Sequence, residues 1–566
     1  MIRSRRSLVA LMAILAIVLA ACGSSSGSKS GGKTTDTKAA TPTTLGQAPS
    51  GTLVLGAEQD AACADWINKC AASSWGSWMM QYQTLPRVFN YVKQDGVWTE
   101  TPTAAMASFP TSAIVGGKQT VTYTLSDTAV WSDGQPITSA DIKYTADQIR
   151  TDKNVYDPTG YEKIEGVATP SPKVAVVTFK EPYASWTALF GADYGIQPSH
   201  ILEGKDRDKL MKNGYDWSGG PWIAKWQKGV SVTLTPNPNY YGIKPTIQKV
   251  IFKIIADTAS EFQAFKAGEV LGIYPQPEPS SIATIKGGVP NTKAIYSAET
   301  GAVEALWLNN QAFPFNDIAV RQAIGYSIDR DAIVNRLFGS VGVTKAVQSL
   351  NPPITAKYSD PTAWSNYVPN PEKVTSLMTG AGWKKNGSGI WAKGGKTASF
   401  TIQSTAGNKR RELTEQILQQ MLKGAGFEMS IKNKSADDLF GKILGAGTYQ
   451  ASIYAQQATN INPGLCQIAC TSAIPTKANK QTGNNLSRIS VPAADPLLAD
   501  VDTNTDQAAR IAASKQADRL LAADQVSLPL DPLPNIILWS NRIGGPVGDN
   551  PVVSMFWNMN EWTLAG

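Results

Sequence analysis

Few side chains in this sequence are of a type and spacing that could do chemistry. Of 566 residues one is histidine, His200, and five are cysteine, at positions 22, 63, 70, 466 and 470. A single histidine argues against multi-histidine metal sites and against a Ser-His-Asp triad, and no H-E-x-x-H motif occurs. Cys63 and Cys70 are separated by six residues, Cys466 and Cys470 by three. These spacings fit two short-range disulfides in an oxidising compartment. Four cysteines allow three pairings, and a metal site drawing all four thiolates together is the alternative. Lys and Arg number 52 against 45 Asp and Glu, a formal charge of +7, of which Arg3, Arg5 and Arg6 supply three. The excess that remains is too small to argue for a nucleic-acid surface.

The first segment reads as an address and an anchor. Residues 1–7 are basic, and residues 8–21 are an unbroken apolar run. That run is shorter than the ~20 residues a membrane-spanning helix needs, and it suits the apolar middle of a secretory signal peptide. It ends Leu19-Ala20-Ala21-Cys22-Gly23, which resembles the lipobox of bacterial lipoproteins. The resemblance implies cleavage before Cys22, diacylation of its thiol, and tethering to the outer face of the cell membrane. Two acyl chains hold stably where one binds only marginally. Residues 22–50 form a Gly-, Ser-, Thr- and Lys-rich linker that cannot bury apolar surface, and no later stretch is long and apolar enough to span a bilayer.

The body is too long for one hydrophobic core, so two or three domains are expected. Its pattern mixes strands and helices. Residues 52–55, 119–125 and 173–179 read as strands, and 249–256 as a central strand covered on both faces. Asp257 can cap a following helix that turns Phe262 and Phe265 inward and ends at Gly268, with a strand at 270–274. A second strand–helix–strand unit is expected at 398–404, 411–423 and 427–431. Helices also fit 317–338 and 505–523. Two α/β units more than a hundred residues apart point to two lobes, each with its own sheet.

Four segments then resemble, in order, motifs of the extracellular solute-binding proteins of peptide/nickel ABC importers, family 5. They are Val130-Trp131-Ser132-Asp133-Gly134-Gln135-Pro136-Ile137-Thr138-Ser139-Ala140-Asp141-Ile142; Gly220-Pro221-Trp222 with Asn237-Pro238-Asn239-Tyr240-Tyr241-Gly242; residues 262–270; and Val320-Arg321-Gln322-Ala323-Ile324-Gly325-Tyr326-Ser327-Ile328-Asp329-Arg330. Each also has a scaffold explanation: a turn at Asp133-Gly134, a cap at Thr138 or Ser139, turn chemistry at Asn237-Pro238, and a helix pinned through Arg321 and Asp329. The resemblance implies an α/β, two-lobed fold like the periplasmic binding proteins (type II, cluster C). Lobe I would be 51–301 plus 531–566, with an extra subdomain at about 89–198, and lobe II 302–530. It further implies a monomer that captures a small solute, a peptide or peptide-like molecule, between its lobes and hands it to a membrane permease. That is binding and not catalysis, with no cofactor and no metal.

The same resemblance places candidate ligand contacts. Peptide-binding members hold the ligand ammonium with an acid in a lobe II loop, but the matching stretch here, 454–463, has no carboxylate; Thr459 and Asn460 stand near its place. The acid would then come from elsewhere, for example Asp438 or Glu58. Gln456, Gln457, Asn460 and Asn462 offer amides suited to neutral polar groups, or form an exposed polar loop. At the lobe I cleft edge Trp75, Trp78 and Tyr82 could stack on a ligand or belong to the core, and Trp307 and Asn310 are similar candidates. His200 fits a turn histidine better than a metal ligand. The competing functions are a secreted saccharide-binding or cell-wall-associated lipoprotein and, with less support, a lipoprotein hydrolase.

Overall fold

The computed structural model describes residues 50–71, 73–152, 154–191, 193–479 and 481–565. The expected signal peptide (1–21), Cys22 and the linker up to residue 49 lie outside the described residues.

The apolar run after the linker forms the strand Ser50–Ala57, which pairs in parallel with Ile247–Ile254 and Gly272–Ile273. Antiparallel neighbours complete a seven-stranded sheet, with Ser231–Pro236 and Trp222–Gln227 on one side and Asn535–Ser540 and Thr292–Ser297 on the other. The helix Thr258–Lys266 crosses between the parallel strands. Asp257 caps it by accepting from the Ser260 N–H at 2.8 Å, Phe262 and Phe265 are buried, and Gly268 follows at φ +76°. The expected strand–helix–strand unit is present, but its first strand is not covered on both faces. Lys249 and Lys253 are exposed while Val250 and Phe252 are buried, so the run alternates once its lysines are counted.

A five-stranded sheet holds Glu428–Ile431, Ser399–Gln403, Ala451–Gln457, Ala302–Leu308 and Ser527–Asp531, in that order. Ser399–Gln403 lies parallel to both of its neighbours. The helix Lys409–Ala425 connects two of these strands, capped by Asn408 and stopped at Gly426, with Leu418 and Leu422 buried beneath it. A four-stranded antiparallel sheet comes wholly from 111–179, with the helix Ser139–Thr151 packed on it and Thr138 and Asp141 forming a capping box. The single helix expected over 317–338 is two, Ile318–Gly325 and Arg330–Phe338. The Asp329 carboxylate accepts from the Ala332 N–H at 2.9 Å and starts the second, so Arg321 and Asp329 do not share a helix face. Arg321 instead pairs with Asp524. Disulfides join Cys63 to Cys70 and Cys466 to Cys470.

Buried hydrophobic side chains form two clusters. One runs from Leu53 to Phe252 and takes in Ile537 to Trp562; the other runs from Phe262 to Leu538. The chain passes between the large sheets twice, from Thr292–Ser297 to Ala302–Leu308 and from Ser527–Asp531 to Asn535–Ser540. At the first crossing only glycine fits, because a Cβ on Gly301 would sit 2.0 Å from the Pro551 carbonyl oxygen. Just beyond it, fully buried Glu304 accepts from Arg411 Nε at 2.6 Å, Arg411 Nη2 at 3.0 Å and Arg410 Nη2 at 3.1 Å. Burial alone would raise its pKa, but the two guanidinium groups hold it below the ordinary carboxylate value.

Replacing Glu304 with Ala leaves two buried cations without their anion and is expected to cost about 3–5 kcal/mol in unfolding free energy. Equilibrium denaturant unfolding measures it, and an unchanged midpoint would contradict this account of the crossing.

Candidate functional site

The strand ends converge on one cleft. Ser50–Ala57 leads into Gln59, Gly272–Ile273 into Tyr274 and Gln276, and Ala451–Gln457 ends in Gln456 and Gln457; all five side chains line a cavity of about 160 Å³. A crevice beyond the carboxyl ends of parallel strands is the usual ligand position in open α/β sheets. Ala302, the first residue after the Gly301 crossing, and Pro534 and Asn535, in the second crossing, also line it. The cleft therefore lies where the two large sheets meet.

One wall is aromatic. Residues 74–84 are helical throughout, with a π turn over Ser77–Gln81 in which the Tyr82 N–H reaches the Ser77 carbonyl. Ser73 starts the run by accepting from the Gly76 N–H. Trp75 and Trp78 lie 5.4 Å apart between ring centroids and each meets Tyr274, at 6.1 and 5.6 Å. Both tryptophans line the cleft and are also largely buried, Trp75 being 3% exposed, so the cleft and core alternatives coincide in them. Tyr82 lines the cleft as well, while Met79 is fully buried.

The facing wall is polar. Gln456, Gln457 and Thr459 line the cleft, with Gln457 Nε2 donating to the Pro551 carbonyl at 2.9 Å. Asn460 and Asn462 border smaller adjoining cavities instead. The Asn460 carboxamide accepts from the Asn462 N–H at 2.8 Å, and Asn462 Nδ2 donates to Thr187 Oγ1 at 2.8 Å. Trp307 and Asn310 are not brought to the cleft. Trp307, 1% exposed, stacks on Tyr454 at 5.1 Å and donates Nε1–H to its carbonyl at 2.8 Å. The Asn310 amide is committed to the carbonyls of Leu308, Ser487 and Val526.

The 454–463 loop brings no carboxylate to the cleft, but another segment does. Asp193 is the one Asp or Glu among the described residues lining the cleft, and Arg411 the one Lys or Arg. Arg411 is ion-paired with Glu304, which it shares with Arg410, whereas Asp193 has no guanidinium or ammonium partner among the described residues. Burial pushes its pKa up to about 7, the nearby Asp157 adds to the rise, and hydrogen bonds from Thr459 and Gln467 oppose it. The two acids considered from sequence lie elsewhere. Asp438 is exposed and paired with Lys442 at 2.7 Å; Glu58 is buried, accepting from the Gln276 N–H at 3.0 Å. Tyr156, Tyr194, Gln467 and Asn484 are further lining residues that carry no pattern in sequence. The one local sign for Asp193 is its place between Gly191 and Gly195, the latter so close to Leu85 that a Cβ would meet its Cβ at 2.5 Å. His200 sits apart, not in a turn but in the short helix Ser199–Leu202, its Nε2 2.9 Å from the Asp133 carboxylate.

The cleft presents aromatic faces, side-chain amides and one carboxylate to whatever enters it. Among the described residues no three His, Cys, Asp or Glu side chains converge in a way that could hold a metal ion.

The model of the bacterial extracellular solute-binding proteins, family 5, middle region, matches residues 102–465. A Brucella ovis protein named as an ABC transporter peptide-binding protein is 27% identical over 460 residues, covering 76% of this chain and 81% of its own. The oligopeptide-binding protein OppA of Mycobacterium tuberculosis is 24% identical over 500 residues, 82% of this chain and 80% of its own. The solved structure of the oligopeptide-binding protein AppA from Bacillus subtilis, in complex with a nonapeptide, superposes with a TM-score of 0.80 at 19% identity, over 92% of this chain and 100% of that one. A family match across 364 residues, on an α/β scaffold whose strands from two sheets end at one cleft, makes this chain a member of the bacterial extracellular solute-binding proteins, family 5, with the type II periplasmic-binding-protein fold.

Proposed function

We propose that the protein is the capture subunit of an ABC importer, anchored through lipidated Cys22 and delivering peptides or peptide-like solutes to a membrane permease. Lobe I (51–301 with 531–566) and lobe II (302–530) would close on the ligand as a monomer. The observation that carries this reading is the cleft itself: an aromatic wall from 74–82, an amide wall from 456–459, and both sheet crossings between them. Amides pair with a peptide backbone, which both donates and accepts, and indole rings cover apolar side chains without demanding one identity. The relatives named for peptides support the ligand class.

Within that class Asp193 is the ligand-charge reader. A lone carboxylate held near neutral in a desolvated wall favours a cation that arrives with the ligand, such as a peptide ammonium. Binding a cation needs the ionised form, so affinity should fall as pH drops below about 7, with up to one proton released per ligand bound there, and fall again above about pH 8 as the peptide α-ammonium deprotonates. Stability runs the other way. A carboxyl whose folded pKa is raised from 3.8 to about 7 stabilises the fold at low pH, and that contribution is lost as pH rises through about 7.

Native mass spectrometry of freshly purified protein should show retained short peptides, and small-angle scattering should show compaction when they are added back. A particle that holds no peptide and never compacts would remove the capture reading. Calorimetry should then show free-amine peptides binding about tenfold or more tighter than their N-acetylated forms at pH 7.5, with Asp193→Asn removing the difference. Equal binding of both forms, unaffected by the substitution, would remove Asp193 alone. A Cys22→Ser variant should appear in the medium instead of the membrane fraction; membrane retention would count against the lipid anchor.

A further inference from the structure

Behind the aromatic wall lies a second cavity, of about 170 Å³, which shares Tyr82 with the cleft. Arg87 lines it. The side chain is 6% exposed, yet its Nη1 has no hydrogen-bond partner, and among the described residues no carboxylate lies within ion-pair distance of it. The groups acting on its charge are the phenols of Tyr82, Tyr91 and Tyr240, and its guanidinium carbon stands 4.3 Å over the Tyr82 ring centroid.

Other buried arginines of this chain, although Arg330 and Arg410 also keep unpartnered nitrogens, have a carboxylate or backbone carbonyls as partners. Arg207 pairs with Asp65 and Asp152, Arg410 and Arg411 with Glu304, and Arg488 donates to three backbone carbonyls. A guanidinium cannot shed its proton to escape burial, and one aromatic face only partly replaces the water it has lost. Arg87 therefore has an unmet demand for a negative charge, and it faces space that can admit one. The same cavity is walled by Tyr240, Tyr241 and Trp557, which suit an apolar or aromatic body. Exposed Glu561 also lines it, and its repulsion disfavours ions of double charge.

We propose that this cavity is a binding site for a small organic monocarboxylate, its carboxylate paired with Arg87 and its body against Tyr240, Tyr241 and Trp557. Planar carboxylate and planar guanidinium match in a two-bonded fork, which fixes the ligand's orientation. The site is distinct from the cleft, with the Tyr82 ring between them, and it does not depend on what the cleft binds.

Sodium benzoate, acetate and sulfate, each titrated into the full chain against chloride at constant ionic strength, test it by thermal melting and calorimetry. Benzoate should raise the melting temperature saturably at millimolar concentration, acetate less, and sulfate no more than chloride. Arg87→Met should abolish the benzoate shift and, having lost a buried unpaired cation, melt above the wild type in carboxylate-free buffer. Ala104→Trp keeps Arg87 and fills the cavity from an exposed lining position; it should fold and lose the benzoate response. The proposal is overturned by the absence of a saturable benzoate effect, by sulfate exceeding benzoate, or by a response surviving in both variants.

Discussion

The architecture depends on one buried carboxylate being clasped by two consecutive arginines. Glu304 sits just inside the five-stranded sheet, immediately after the chain has crossed from the seven-stranded one, and Arg410 and Arg411 occupy the first turn of the helix that packs there. Consecutive helical positions point about 100° apart, so both can reach one carboxylate only if the helix start is fixed. Asn408 fixes it by accepting from the Arg411 N–H at 3.0 Å, and Arg411 Nη1 also donates to Thr405 Oγ1 at 2.9 Å. The network continues past the cleft floor. Arg410 donates to the Gln276 side chain at 3.1 Å, and the Gln276 N–H donates to Glu58 at 3.0 Å, which ties the end of one sheet to the start of the other. Asp531, at the return crossing, is pushed up to about 7 by burial and by Glu304 despite Arg410 and Arg411. An ionic cluster with this much desolvation to offset tolerates few geometries, so charge as well as apolar packing constrains the strand ends that line the cleft.

That constraint explains how the cleft divides its work. Among the described residues its one guanidinium is ion-paired within the scaffold, and its one carboxylate is not. Asp193 belongs to the loop after the four-stranded sheet, while the Thr459 and Gln467 that hydrogen-bond to it follow the strand Ala451–Gln457. The acid is therefore a contact between segments far apart in sequence as well as a group facing the cavity. Asp157 accepts from Gln467 beside it and keeps the local potential negative. A cation entering there relieves both the desolvation of Asp193 and its repulsion from Asp157, and a neutral ligand relieves neither.

Much of the scaffold was legible in the sequence because it rests on local chemistry. The caps at Asp257 and Thr138, the stop at Gly426 and the alternation of Val121 with Tyr123 follow from side-chain types within a few residues. Where the reading failed, a single local feature was overlooked: the lysines in the 249–256 run, and Asp329, whose carboxylate starts a new helix inside an otherwise helical stretch. The site was less legible because it is made by tertiary contact. Trp307 and Asn310 have the composition of ligand contacts, but their polar atoms are spent on Tyr454, Leu308, Ser487 and Val526, none of which sequence distance reveals. Asp193 has no motif at all and becomes conspicuous only when every other charge in the cleft is accounted for.

The two disulfides fit the same logic of preorganisation. Each closes a loop of only a few residues, so the entropy it removes from the unfolded chain is small, and neither supplies much global stability. Each loop carries a residue of the cleft wall: Trp66 lies between Cys63 and Cys70, and Gln467 between Cys466 and Cys470. Trp66 is anchored by donating to the Tyr215 hydroxyl at 2.7 Å, and Gln467 by donating to Asp157. A disulfide across so short a loop limits the backbone motion of the wall residue it carries. The covalent bonds thus act where the ionic network cannot reach, at the rim of the cleft, while Glu304 and its arginines hold the floor.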